Sequence, residues 1–430
     1  MSKPTLSERD TKVIWHPYTQ HQKFEEPIPI VKGEGALLFD EDGNIYIDAI
    51  SSWWVNLHGH AHPYIAEKIY KQALALEHVI FTHFTHEPAV LLAERILKIL
   101  PGKFSKIFYS DNGSTAVEVA LKMAIQFWRN KERPERNKIL AFEHAYHGDT
   151  FGAMSVSSRG LFTDAFKDFL FDVVFVETPK AGNLDKIISI IQSQEEQIAA
   201  FIYEPLLQAA GGMHVYQAEY LDELLGFIQS EKIICIADEV LTGFGRTGDL
   251  FASESVKHPA DIICLSKGLT GGTMALGVTA CNQTIFNAFL SSDRAKTFFH
   301  GHSFTANPLA CTAGLASLDL LEEKSCREQI QWISKQHEEF AKNELSAPGR
   351  ELFINIRTLG TILAFELSIG KNEYINEVSS IIMGKAILEG IYLRPLGNTV
   401  YLMPPYCITP DQLSRIYRFI LSIPDFIRKN

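Results

Sequence analysis

Two apolar runs that each end on an ionisable side chain constrain this chain more than any other feature. Ile233–Val240 carries Asp238 near its end, and Asp261–Lys267 closes on Lys267. A short unbroken apolar run bounded by polar residues is the pattern of a strand buried on both faces, as in parallel sheets. Runs of the same kind occur at Lys106–Tyr109, Lys138–Phe142, Val173–Val176 and Ala199–Tyr203. Helical stretches lie between them from about residue 60 to residue 320. That alternation predicts an α/β fold whose mainly parallel sheet is covered by helices. The polar groups that follow the runs are Ser110, Glu143, Glu177, Glu204, Asp238 and Lys267. They therefore gather at the edge where open α/β sheets bind ligands.

The last third of the chain differs. Glu322–Glu344 is charged and helical in pattern. Short runs at Leu352–Ile356, Thr361–Leu367 and Val400–Met403 then surround a helix at about 378–389. We expect a smaller α+β domain over 321–430, a large domain over 60–320, and residues 1–59 joining the smaller one. The chain has 430 residues, 46% hydrophobic and 21% charged, enough for two such cores. A net charge of −11 argues against a nucleic-acid partner, which needs a basic face. Six cysteines with no C-x-x-C pair, two of them inside expected strands, fit reduced core residues. The opening Met1–Thr5 has no apolar leader, and no run is long enough to span a bilayer. A cytoplasmic protein without a membrane partner is the expectation.

Several segments carry candidate chemistry. Lysine and aspartate meeting in a buried crevice suit pyridoxal phosphate, with the amine bound to its aldehyde and the carboxylate beside its ring nitrogen. Ser110–Glu118 passes from strand to helix, with Thr115 and Glu118 at capping-box spacing. Gly113 and Ser114 there are either an anion site at a helix N-terminus or only a capped helix start. His144–Thr150 offers Tyr146 as a stacking face, or as a buried tyrosine in a loop. No further His or Cys stands at metal-ligand spacing, so no metal is expected. Gly243–Gly248 spells G-x-G-x-x-G but does not join a strand to a long helix, so it is not a dinucleotide fingerprint. Its Arg246 binds a carboxylate or serves a structural ion pair. Trp53 and Trp54 are adjacent, and neighbouring side chains on a strand point to opposite faces. Arg394 is either solvated or a ligand for a carboxylate.

These motifs in this order resemble the class-III, omega-type, pyridoxal-phosphate aminotransferases of fold type I, from about Trp15 to Pro405. The resemblance implies a homodimer with active sites at the subunit interface. It implies that Lys267 carries the cofactor, Asp238 pairs with its ring nitrogen, and Val240 and Tyr146 cover the ring faces. Gly113 and Ser114 would hold the phosphate, with Ser303 reaching in from the other subunit. Gln208 would stand near the cofactor's phenolic oxygen. Trp15–Thr19, Ser51–Trp54 and Tyr401–Tyr406 resemble the biotin-synthesis branch of the class. That branch implies S-adenosylmethionine as amino donor and 8-amino-7-oxononanoate as acceptor. Tyr18, in the catalytic set, would line the substrate channel with Trp53 and Tyr146. Gly301 and Arg246 would also meet substrate, and Arg394 would hold the acceptor's carboxylate. One departure stands out: the usual Gly-Pro-Thr of the phosphate loop is Gly301-His302-Ser303, which keeps a hydroxyl. Rival readings are another omega-aminotransferase, the same acceptor with lysine as donor, and a non-catalytic protein on this fold. The last would be expected to lack Lys267 or Asp238.

Overall fold

The computed structural model describes residues 4–23, 26–369 and 377–427; Met1–Lys3, part of the expected leaderless start, lie outside them. At its centre is a seven-stranded sheet. In chain order its strands are β1 (Phe104–Ser110), β2 (Lys138–Phe142), β3 (Val173–Val176), β4 (Ile198–Tyr203), β5 (Ile234–Asp238), β6 (Ile262–Leu265) and β7 (Gly277–Asn282). In space they run β1-β7-β6-β5-β4-β2-β3. All pair in parallel except β7, which is antiparallel to both β6 and β1. β1 consequently points the same way as the rest, and Ser110, Asp238 and Leu265 end at one edge. Every residue of β4 and β5 is buried, as strands covered on both faces require. Six of these strands coincide with the apolar runs. β7 was not among the runs, because Gly277, Thr279 and Asn282 dilute its apolar character.

Helix α1 (Gly113–Asn130) crosses one face, burying Val117, Ala120, Leu121, Ala124 and Trp128. Its cap differs from the expected Thr115/Glu118 box. Asn112 is the N-cap: its side-chain oxygen accepts the Thr115 N–H at 2.9 Å, and the Thr115 hydroxyl accepts the Asn112 N–H at 3.1 Å. Glu118 instead accepts the Gly152 and Ala153 N–H groups, at 2.7 and 3.1 Å. Helix α2 (Pro308–Glu322), through which residue 320 runs, packs its buried small residues against the helices Pro63–Ala75 and Glu87–Ile99 and the turn Lys267–Thr270.

Two smaller sheets join distant parts of the chain. Ile45–Asp48 pairs in parallel with Ile391–Tyr392, beside the hairpin of Ile30–Glu34 and Leu37–Asp40. Phe353–Leu359, Ile362–Leu367 and Thr399–Leu402 form an antiparallel sheet. All six cysteines are free, and four, including Cys235 on β5 and Cys264 on β6, are buried. Among the described residues no helix is long and apolar enough to cross a membrane.

Arg246 ties these layers together. Only 1% exposed, it donates to the carbonyls of Pro404 (3.0 Å), Asn56 (3.0 Å) and Trp54 (3.4 Å). Its own carbonyl accepts the Thr361 N–H at 3.0 Å. The guanidinium lies over the Tyr406 ring, 5.1 Å from its centroid. Arg246 therefore holds carbonyls where a carboxylate or ion pair was expected. Its substitution by Leu would strand three buried carbonyls, and breaking such a buried charged network costs about 2–5 kcal/mol. We expect Arg246→Leu to lower the urea unfolding midpoint by that equivalent. An unshifted midpoint would show that the clasp carries no stability.

Candidate active site

A cavity of about 710 Å³ opens at the carboxyl edge of the sheet. Asp238, Lys267, Gly113, Ser114, Tyr146, Val240, Tyr18 and Trp53 all stand on its wall. Asp238 ends β5 and is buried. Its Oδ2 lies 2.7 Å from His147 Nδ1, and its Oδ1 accepts the Val240 N–H at 3.1 Å. His147, itself buried, is held by its N–H donating to Ser157 Oγ at 2.9 Å. Nothing local to His144–Thr150 marks a partner for this imidazole; the fold supplies Asp238 from 91 residues away.

Lys267 begins a short 3-10 turn, Lys267–Thr270, directly after β6. Its φ of +42° is in the left-handed region, where a non-glycine residue costs about 1–3 kcal/mol. Its Nζ lies over the Trp54 ring, 4.6 Å from the centroid. Burial lowers its pKa from 10.5 to about 8, helped by Arg246 and opposed by Asp238 and Glu204. A sizeable neutral fraction is thus present near neutral pH, as an amine that attacks a carbonyl requires. Glu204, past the end of β4, accepts the Tyr146 and Ala209 N–H groups, both at 3.0 Å. Burial raises its pKa to about 7.

The wall opposite is glycine-lined for close approach. A Cβ at Gly113 would meet Val240 Cγ1 at 2.6 Å, so the start of α1 and the residue after Glu239 can touch only with glycine there. Gly148 has φ +128°, and a Cβ on it would strike Ser114 Oγ at 2.1 Å. Ser114 Oγ also accepts the Asp149 N–H at 3.2 Å. Gly113 and Ser114 thereby present the positive end of α1 to the cavity.

Aromatic rings form the mouth. Tyr18 hydrogen-bonds Asp149 through a short contact and lies 3.2 Å, hydroxyl to hydroxyl, from Tyr146. Burial, reinforced by Tyr18, raises the Tyr146 phenol well above its usual range. Trp53 packs edge-on to Tyr18 at 5.4 Å, and Arg394 stacks on Trp53 at 4.4 Å. Trp53 and Trp54 both reach the cavity because they lie in a kinked turn, not a strand: Ser51, Ser52 and Trp54 have φ of +54°, +60° and +69°. Ser51 Oγ on the Met403 carbonyl (2.7 Å) and Ser52 Oγ on Asp48 (2.9 Å) hold that turn. Trp15, by contrast, is 89% exposed and away from the wall.

Other expected residues stand elsewhere. Gln208 is buried, and its amide donates to the Glu143 carbonyl at 2.7 Å. Neither it nor Arg246 is on the cavity wall. Gly301, His302 and Ser303 also lie off this wall, with Gly301 and Ser303 exposed.

A lysine and a carboxylate at adjacent strand ends, with an anion-binding helix start facing them, define a site for a phosphorylated carbonyl cofactor. The chain belongs to the class-III aminotransferases: the family's model matches residues 18–423. It is similar to the adenosylmethionine-8-amino-7-oxononanoate aminotransferase of Synechococcus elongatus, 46% identical over 96% of this chain and 99% of that one. The enzyme of the same name from Helicobacter pylori is 38% identical, over 99% and 98%. The crystal structure of the Methanocaldococcus jannaschii enzyme of that name superposes with a TM-score of 0.93 at 35% identity, covering 98% of each chain. An omega transaminase from Pseudomonas jessenii in complex with PMP gives 0.90 at 27% identity, again over 98% of each.

The residues present fit the family's pyridoxal phosphate. On this shared wall Gly113 and Ser114 would hold the phosphate, Asp238 would meet the ring nitrogen, Val240 and Tyr146 would flank the ring, and Lys267 would meet the aldehyde. Because the lysine is depressed to about 8, capture of free pyridoxal phosphate by the apoprotein should rise with pH and reach half its maximum near there. Stopped-flow absorbance would check this. A midpoint near that of ordinary lysine would contradict the environment described.

Proposed function

We propose that the chain moves the amino group of S-adenosylmethionine onto the ketone of 8-amino-7-oxononanoate, giving 7,8-diaminononanoate for biotin synthesis. The observation that carries this reading is the pair Lys267 and Asp238 inside a cavity lined also by Tyr18 and Trp53, with Arg394 stacked on Trp53. The names of the full-length relatives support it. Bound pyridoxal phosphate supplies an aldehyde that accepts and returns an amino group, and a ring that draws electrons from the adjoining carbon.

This chain's own residues do the rest. Asp238, its Oδ2 2.7 Å from His147 Nδ1, would pair with the ring nitrogen and favour the protonated ring. Lys267 Nζ would act as the base that takes a proton from the substrate carbon and returns it to the cofactor's aldehyde carbon. Trp54, beneath the amine, gives it an apolar and cation-stabilising resting place. Trp53 and Tyr18 offer flat apolar walls to a long acyl chain, and Arg394 beside them offers a guanidinium to its terminal carboxylate.

The same reading makes the active form a homodimer. Tyr70, Leu74, Ile80 and Phe84 are 58–73% exposed, and so are Phe299 and Phe304, at 73% and 62%. His78 and Phe304 pack ring to ring at 5.3 Å, which brings the two exposed segments together beside Ser303. Buried against a second copy, those segments would deliver Ser303 to the neighbouring phosphate.

Three outcomes test the proposal. Lys267→Ala should abolish turnover, and retained turnover would sink it. In the parent, S-adenosylmethionine alone should bleach the band of lysine-bound cofactor; bleaching by lysine and not by S-adenosylmethionine would overturn the donor. Arg394→Ala should raise KM for the acceptor by roughly tenfold to a hundredfold, the worth of a charged hydrogen bond. Steady-state kinetics with each substrate varied would show it, and KM for the donor should move far less.

A further inference from the structure

The left-handed Lys267 needs something to hold it, and that something lies behind the cavity wall. On one side Ser266 Oγ donates to the Leu276 carbonyl at 2.7 Å. On the other, the Gly268 carbonyl accepts the Gly271 N–H at 2.9 Å and the hydroxyl of Ser317, from α2, at 3.3 Å. Ser317 Oγ is in turn 3.0 Å from His58 Nε2. A carbonyl can only accept, so the single hydroxyl proton goes to Gly268 and the imidazole supplies an N–H from Nε2. Burial, with His62 and Arg246 adding to it, lowers the His58 pKa to about 3, so the ring stays neutral.

Packing reinforces the chain. A Cβ on Gly268 would stand 3.1 Å from Leu57 Cδ1, one on Gly271 3.0 Å from His58 Cδ2, and one on Gly272 2.9 Å from the Asn56 backbone. The turn after β6 is moulded onto residues 54–58, the segment that Arg246 clasps and that sets Trp54 under the amine. Ser317 and His58 are 1% and 8% exposed, and neither reaches the cavity.

We propose that His58 and Ser317 are positioning residues: their hydrogen-bonded chain to the Gly268 carbonyl fixes the strained turn and so holds the Lys267 amine over Trp54. This rests on the assignment of Lys267 under the proposed function. A small displacement of a reacting group is enough to slow chemistry while binding survives.

The test compares the pyridoxal-phosphate-loaded full chain with Ser317→Ala, Ser317→Thr and His58→Asn. It reads kcat, KM and the pH midpoint of the visible band of lysine-bound cofactor. Charged groups facing Lys267 are Asp238, Glu204 and Arg246, and none of the three variants alters them. A moved midpoint therefore reports where the amine sits. Ser317→Ala should lose about tenfold in kcat, keep KM within about twofold, and shift the midpoint by about half a pH unit or more. Ser317→Thr should restore both, and His58→Asn should resemble the alanine variant. Ser317→Ala and His58→Asn with parental kcat and midpoint would overturn the inference. So would activity lost only in proportion to lost folded, cofactor-loaded protein with the midpoint unmoved. A parent that shows no Lys267-dependent band would overturn the lysine assignment itself.

Discussion

Asp238 lies opposite Cys264 in the parallel register of β5 and β6, and Lys267 follows Cys264 by three residues. That register sets the spacing between the carboxylate and the amine. A slip of one residue would turn Asp238 to the other face of the sheet and separate the pair. Every layer of the structure serves to prevent it. β4 and β5 are buried throughout, β7 closes the sheet against β1, and the Asp261 carboxylate accepts the Cys235 N–H at 2.9 Å, pinning the start of the two strands.

The second constraint is the irregular backbone that the strand ends must carry. Lys267, Trp54, Ser51, Ser52 and Tyr18 all have positive φ without being glycine. Such positions persist only where their surroundings over-determine them. Around the site, carbonyls do much of that work: Met403 holds Ser51, Gly268 meets Ser317, and three carbonyls surround Arg246. The clasp of Arg246 matters because it joins residues 54–56 to 404, tying the wall under the lysine to the segment beyond the last strand. An arginine suits this task, since its planar fork donates in several fixed directions at once.

Much of this was legible in the sequence because burial on both faces writes itself as an apolar run. The runs marked β1 to β6, and their polar ends pointed to the right edge. What the runs could not show came from elsewhere. β7 carries Gly277, Thr279 and Asn282, which break the pattern, and its antiparallel direction leaves no local trace. The tandem tryptophans could not be placed, because alternation holds for strands and they occupy a kinked turn. Nothing near His58 or Ser317 marks them either; they meet across 259 residues of chain. His147 was visible only as an imidazole beside Tyr146, and its partner, 91 residues away, depends on the fold. The G-x-G-x-x-G stretch lies in turns, and the several donors of Arg246 are aimed at backbone carbonyls.

Because Lys267 is placed by the register, the turn and the ring beneath it, the most direct test is where the cofactor attaches. The protein loaded with pyridoxal phosphate would be reduced with borohydride, digested and mapped by mass spectrometry. A single reduced adduct on Lys267 is the predicted result. An adduct on any other lysine, or none, would contradict the account of the site.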